Sequence, residues 1–380
     1  MVCMNWAQNS GYTILLLSFS LSVNAQNDSA QRLLTDTIPA AIKTDSTQPG
    51  LLSDTATPKK KKFSLTGIPI LTYSGPFGSI TGFNTSAFFH IGNKHDTISP
   101  ASQLGLGGGG NQDYTWFGAL FTQLYLNEDR WRITAGLGVG NLNYQYYETV
   151  MGSEDGGFVN YSSMSRFFFA KVMRKVHGRF YMGGFVSMKH SKTKFPEYSD
   201  STMDIDANGF GPSILFDSRN NIYAPKKGWQ AASDYTINPS WTGSDSNFST
   251  LRSYANWYLS LGAKTVLASR ISATVGIGAV PFTGQHTVGG RDIRGYSDGK
   301  YRGDQVYAIQ TELRWNFYRR WGGVVFTGVA FTEKPYSGAL PAAGIGIRFL
   351  AIRAQHINIG VDGALGKGDT GIYFRINEAF

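Results

Sequence analysis

Gly295-Tyr296-Ser297-Asp298-Gly299 has the G-x-S-x-G spacing of a nucleophile elbow, where a serine on a sharp strand-to-helix turn is exposed to attack a carbonyl. Such chemistry needs a base, and His286, Ser297 and Asp298 form the one local constellation for a hydrolase. No helical pattern follows the serine, so a turn-rich loop is the favoured reading and hydrolysis the lesser one. Gly105-Leu106-Gly107-Gly108-Gly109-Gly110 matches the G-x-G-x-x-G phosphate cradle. An aromatic strand follows it in place of the helix whose N-terminus would hold a pyrophosphate, which predicts a turn or strand end. Asp204-Ile205-Asp206-Ala207-Asn208-Gly209 begins like a calcium loop, but Leu215 stands where the bidentate glutamate belongs, so a turn is expected there too. The 6 histidines have neither helical i, i+4 pairing nor H-E-x-x-H spacing. No catalytic residues, metal or cofactor are therefore expected.

The sole cysteine, Cys3, lies in the leader, so a processed chain has no thiol for disulfides or nucleophilic attack. The apolar run Ile14 to Val23, ending in Val23-Asn24-Ala25, predicts a signal peptide over residues 1–25, although no Lys or Arg precedes Arg32. No later stretch reaches the roughly 18 consecutive apolar residues of a transmembrane helix. A net charge of +9 would suit nucleic acid, but one run, Lys59 to Lys62, supplies four of the positive charges and the others are scattered. No nucleic acid partner is expected; solvated or lumen-facing charges are.

Residues 26–62 lack periodic apolar patterning and read as a disordered periplasmic tether. From Phe63 the pattern becomes segments of about ten residues with period-two alternation. Trp131, Ile133, Ala135, Leu137 and Val139 alternate with Arg132, Thr134, Gly136, Gly138 and Gly140. Ile271 to Ala279 and Ile357 to Asp362 repeat the arrangement. Charged residues are only 16%, aromatics are 14% and glycines number 46. Together these predict an all-β fold, a 16-stranded antiparallel transmembrane β-barrel over residues 63–380, with apolar faces toward lipid. Its last strand, expected over 370 to 380, steps through Phe374, Ile376 and Phe380. That ending predicts a terminal aromatic at the membrane interface and resembles the C-terminal assembly signal of outer-membrane barrels.

The core Ile293-Arg294-Gly295-Tyr296, preceded by Gly290 and Arg291, resembles the V/I-R-G-F/Y signature on the sixth extracellular loop of the BamA/TamA superfamily. Four further segments are similar in order to that barrel. They are the opening Gly67 to Tyr73 with Phe77-Gly78, the periplasmic turn with Asp217, Arg219, Asn221, Pro225 and Gly228, the Thr311-Glu312-Leu313-Arg314 strand and the aromatic chain end. The resemblance implies that Arg294 folds back into the lumen and pairs with Glu312. Two departures stand out. Phe326-Thr327-Gly328-Val329-Ala330 carries glycine where the family has a second acidic partner, and no POTRA domain is recognisable in residues 26–62.

By resemblance, the expected function is assisting outer-membrane protein assembly or translocation, with outer-membrane lipids and other outer-membrane or periplasmic proteins as partners. The implied working part is a weak seam between the first and last strands. A passive pore or structural barrel is the alternative reading.

Overall fold

A computed structural model describes residues 63–380 apart from 75–77, 93–95, 97, 101, 113, 150–155, 196–201, 222–223, 283, 291, 298–299, 334–337, 353–356 and 377. The expected leader and tether lie outside the described residues, as do Arg291, Asp298 and Gly299 of the loop motif and the side chains of Phe374 and Ile376.

The first half of the wall comprises β1 (Phe63–Ser74), β2 (Gly78–Phe89), β3 (Ser102–Gly110), β4 (Trp116–Leu126), β5 (Trp131–Thr149), β6 (Gly156–His177), β7 (Phe180–Lys194) and β8 (Thr202–Asp217). After β9 (Gly228–Asn238), β10 (Phe248–Ser260) and β11 (Thr265–Gly278), a long loop carries the short β12 (His286–Thr287) and β13 (Arg302–Gly303). The wall resumes with β14 (Gln305–Tyr318), β15 (Trp321–Thr332), β16 (Leu340–Ile352), β17 (Ile357–Gly366) and β18 (Asp369–Ile376). Sixteen strands form one closed antiparallel barrel in which β1 meets β18, and β12 and β13 make a separate two-stranded sheet within the loop. Closure pairs backbone groups that an open edge would leave exposed.

Side-chain alternation orients the wall. Leu137, Val139, Ile271, Ile277 and Val361 are exposed on the outside, whereas Ser272, Thr274 and Asp362 are buried inside. Aromatic rings cover the inward glycines. A Cβ on Gly105 would enter the ring of Phe121, and one on Gly136 or Gly138 would strike Phe169 or Phe167. Residues 105–110 are strand and β3 stops at Gly110, so of the expected turn or strand end it is the strand end that forms, with neighbouring backbone (Thr81 and Thr115 carbonyls) crowding Gly109 and Gly110. Asp204 to Gly209 is likewise interior to β8, so no calcium loop forms there and the expected turn is corrected. Several strands outrun the segments expected for them: β5 continues to Thr149 and β8 begins at Thr202.

The chain end also departs from expectation. Strand β18 stops at Ile376, and the last residues turn into the lumen, where Ala379 is buried and Arg314 Nη2 donates to the Phe380 carbonyl at 2.9 Å. The terminal aromatic is therefore inside the barrel and not at the membrane interface, because a buried guanidinium offers the chain end a better polar partner than the wall does.

Short turns close one rim. In the turn between β4 and β5, Asn127, Glu128 and Asp129 all adopt positive φ, which costs a non-glycine residue about 1 kcal/mol or more each. Asp96 and Ser99 hold it: Glu128 N donates to Asp96 Oδ2 at 2.9 Å, and Asp129 N to Ser99 Oγ at 2.8 Å.

Candidate functional site: the loop inside the barrel

The chain between β11 and β14 enters the lumen. Gly289, Gly290 and Gly295 take positive φ (142°, 61° and 107°), backbone that L side chains rarely adopt. Gly295 also approaches the wall closely, since a Cβ there would lie 2.9 Å from the Leu365 carbonyl oxygen. Between these turns Ile293 is fully buried in an apolar cluster with Val288, Tyr296, Tyr301, Leu340 and Ala342.

Arg294 is fully buried, and every polar contact it makes is to the wall. Nη2 donates to Glu312 Oε2, Nη1 to Asp362 Oδ2 at 2.8 Å and Nε to Gln310 Oε1 at 2.9 Å. Phe326 lies under the guanidinium, its ring centroid 3.4 Å away. Glu312 and Asp362 are shared. Arg314 Nε donates to Glu312 Oε1, and Arg348 Nη1 to Asp362 Oδ1. Glu378 extends the chain of charge by accepting from Arg348 Nε at 3.0 Å and Asn358 Nδ2 at 2.7 Å. Three arginines thus face three carboxylates, so a set of charges that would be costly singly is buried as a neutral group.

The second acid comes from a different strand than expected. Gly328 is opposite Gln310 across β14 and β15, and a Cβ on it would lie 2.5 Å from the Ile309 carbonyl oxygen. The missing acid of β15 is replaced by Asp362 of β17, so the departure at Gly328 leaves Arg294 with two carboxylates. Asp362, Gln310, Arg348 and Glu378 were not singled out as partners. The signal available for Asp362 was its position as a lone acid on the inward face of β17, where an unpaired charge is costly.

Beyond Arg294 the loop is tied to the closing strands. Gly295 N donates to Tyr373 Oη at 2.8 Å, Lys367 N to Tyr296 Oη at 3.0 Å, and Ser297 N to Asp369 Oδ2 at 2.8 Å. Asp292 anchors the other side through Arg270, whose Nε and Nη2 donate to Asp292 Oδ1 at 2.9 and 2.7 Å. The elbow-like Ser297 gives its hydroxyl to Asp369 at 3.2 Å, while His286 Nε2 is buried without a hydrogen-bond partner. Burial, with Arg252 nearby, pushes the His286 imidazole down to about 3, which leaves it neutral at physiological pH.

The expected turn motif between β8 and β9 is held largely by its own side chains. Arg219 grips Asp217 with Nε and Nη2, both at 2.9 Å. Asn220 Oδ1 accepts from Lys226 N and Lys227 N, and Asn221 Oδ1 from Ala224 N at 2.9 Å. Pro225 is buried, and Gly228 (φ 105°) passes so near Ser218 that a Cβ would lie 2.3 Å from its carbonyl oxygen. Arg132 joins this turn to the one between β4 and β5, pairing with Asp129 at 2.8 Å and Asp217 at 3.4 Å.

The seam is the thinnest part of the wall. Among the described residues β1 and β18 share the single register pair Tyr73↔Ile372. By contrast, β1 is paired with β2 from Phe63↔Phe89 through Ser74↔Gly78, and β17 with β18 from Ile359↔Ile376 through Gly366↔Asp369. Loop contacts to Tyr373 and Asp369 fall on the strand that borders this gap.

The Omp85 superfamily domain matches residues 100–350. Among solved structures, BamA from Haemophilus ducreyi lacking POTRA domains 1–3 superposes with TM-score 0.56 at 15% identity, covering 83% of this chain and 70% of that one. CdiB from Acinetobacter baumannii gives 0.56 at 13% identity, with 83% and 60% covered, and CdiB from Escherichia coli 0.58 at 12%, with 83% and 62% covered. The chain thus spans less than two thirds of either CdiB chain. No curated protein matches it.

Proposed function

Since the chain belongs to the Omp85 superfamily of bacterial outer-membrane β-barrel proteins, we propose that it assists assembly of other outer-membrane proteins or translocation of secreted ones, acting with partner machinery. The observation that carries this reading is the seam, where among the described residues Tyr73↔Ile372 is the one register pair between β1 and β18. Strand edges left unpaired there present N–H and C=O groups to an incoming segment, which can add to them by β-augmentation. The loop held by Arg294 lies in the lumen against β14 to β18, beside that seam, which favours lateral work over free conduction. Residues 1–25 act in this reading as a signal peptide and 26–62 as a periplasmic tether.

The test is a reversible crosslink. Tyr73→Cys with Ile372→Cys, in a processed chain otherwise free of cysteine, closes the seam under oxidation. Loss of client barrels or secreted proteins from the outer-membrane proteome, restored by reduction, is the expected result. Full activity with the bond formed rules out lateral opening. An outer-membrane proteome unchanged by deletion of the protein moves the reading to a structural barrel, and high single-channel conductance moves it to a pore.

A further inference from the structure

We propose that the short-turn rim of the barrel is a binding collar for anionic phospholipid headgroups of the membrane leaflet that it borders. The turns that follow β4, β6, β8, β10 and β14 all lie at this rim, and each brings cations to it. Arg130, Arg174, Lys227, Lys264 and Arg319 are exposed. Two carboxylates of the same rim are already engaged. Glu128 lies 3.7 Å from Arg130, and Asp96 accepts from the backbone of Ile98, Ser99 and Glu128. The five cations outnumber these two carboxylates, so this set of rim charges is net positive, and Lys and Arg stay charged at neutral pH.

Aromatic neighbours set its depth. The Arg174 guanidinium lies 5.5 Å from the ring of Trp131, and that of Arg319 lies 5.2 Å from Tyr318. Trp229 and Trp257 stack on the outer wall with centroids 5.6 Å apart, just inside Lys227. Exposed Trp and Tyr mark the headgroup level of a barrel wall. Cations interleaved at that level meet phosphate where a positive residue near an anionic surface is stabilised by about 1 kcal/mol. An acidic soluble partner fits less well, because the cations are spread around the rim alongside belt aromatics and not gathered on one face.

The full chain is reconstituted in nanodiscs of phosphatidylethanolamine with either phosphatidylglycerol or phosphatidylcholine, and retained lipid is counted by native mass spectrometry. Phosphatidylglycerol is expected to be retained several-fold over phosphatidylcholine, with the preference falling in 0.5 M salt, where screening is limited to about 4 Å. The fourfold variant R174Q/K227Q/K264Q/R319Q is expected to reduce the preference about tenfold or abolish it, and K227Q/R319Q to reduce it partly, with unchanged heat-modifiable gel migration as the control for folding. Equal retention of the two lipids by the native chain, or an unchanged preference in the folded fourfold variant, overturns the proposal. Binding of polyglutamate by the detergent-solubilised protein without any lipid preference overturns it in favour of an acidic protein partner. None of these readouts depends on assembly activity, so the collar and the seam can fail independently.

Discussion

Arg294 and Asp362, 68 positions apart in the chain, meet at 2.8 Å with neither side chain exposed to solvent. Asp362 also accepts from Arg348 of β16, so one carboxylate joins the loop to two neighbouring strands. Replacing such a network by apolar groups is often neutral, whereas removing one member strands its partners. The contacts of this network run from the loop to β14, β16 and β17.

Asp362→Ala leaves Arg294 and Arg348 without a shared partner. Breaking a buried pair costs about 3–5 kcal/mol, and the denaturation midpoint of the folded barrel in detergent should fall accordingly. An unchanged midpoint would show that water or another group takes over the carboxylate's place.

Glu312→Ala removes an acceptor shared by Arg294 and Arg314. Limited proteolysis from the loop side should then cut between residues 286 and 302 faster than in the native chain. Equal cutting rates would count against the pairing as what holds the loop.

Gly295→Ala should displace the loop without touching a charge. The residue sits at φ 107°, and the new methyl would lie 2.9 Å from the Leu365 carbonyl. Strain of about 1–3 kcal/mol is expected, read as raised channel conductance because the lumen loses its filling. Native-like conductance would mean that the Arg294 network and the tyrosine contacts keep the loop in place despite the added methyl.

Asp96 gives a pH signature. Hydrogen bonds from the Ser99 side chain first, then from backbone N–H groups of Ser99 and Glu128, hold its carboxyl below the ordinary 3.8. A lowered folded value means the contribution is complete above 3.8 and is lost only as pH falls through the lower folded value. Exchange protection of the 127–129 turn, corrected for intrinsic rate, should therefore be flat from pH 7 to about pH 5, and Asp96→Ala should lower it across that whole range. Protection that declines already between pH 7 and 5 would assign the turn's stability to another group.

Much of the wall was legible from residue order because the barrel alternation is local. Whether Leu137 or Gly138 faces lipid follows from a two-residue period and the preference of hydrocarbon for apolar atoms. The loop's glycines and Arg294 were legible through their resemblance to the family's loop signature, and the structure supplies the reason, since positive φ and a buried charge restrict residue type. Phe380 was misplaced because alternation continued past Ile376 would point it outward, and nothing within the strand encodes the pull of Arg314 from β14.

The sequence by itself determined the all-β class and a wall of sixteen strands, which rest on a local two-residue period, whereas the lumen-directed loop and its acid Glu312 followed from the resemblance of Ile293 to Tyr296 and Thr311 to Arg314 to the family's motifs. Only the tertiary structure decided that Asp362 supplies the second carboxylate and that the chain end turns inward to Arg314. Those outcomes depend on which strands become neighbours when the sheet closes, and closure brings together residues whose separation along the chain carries no local pattern.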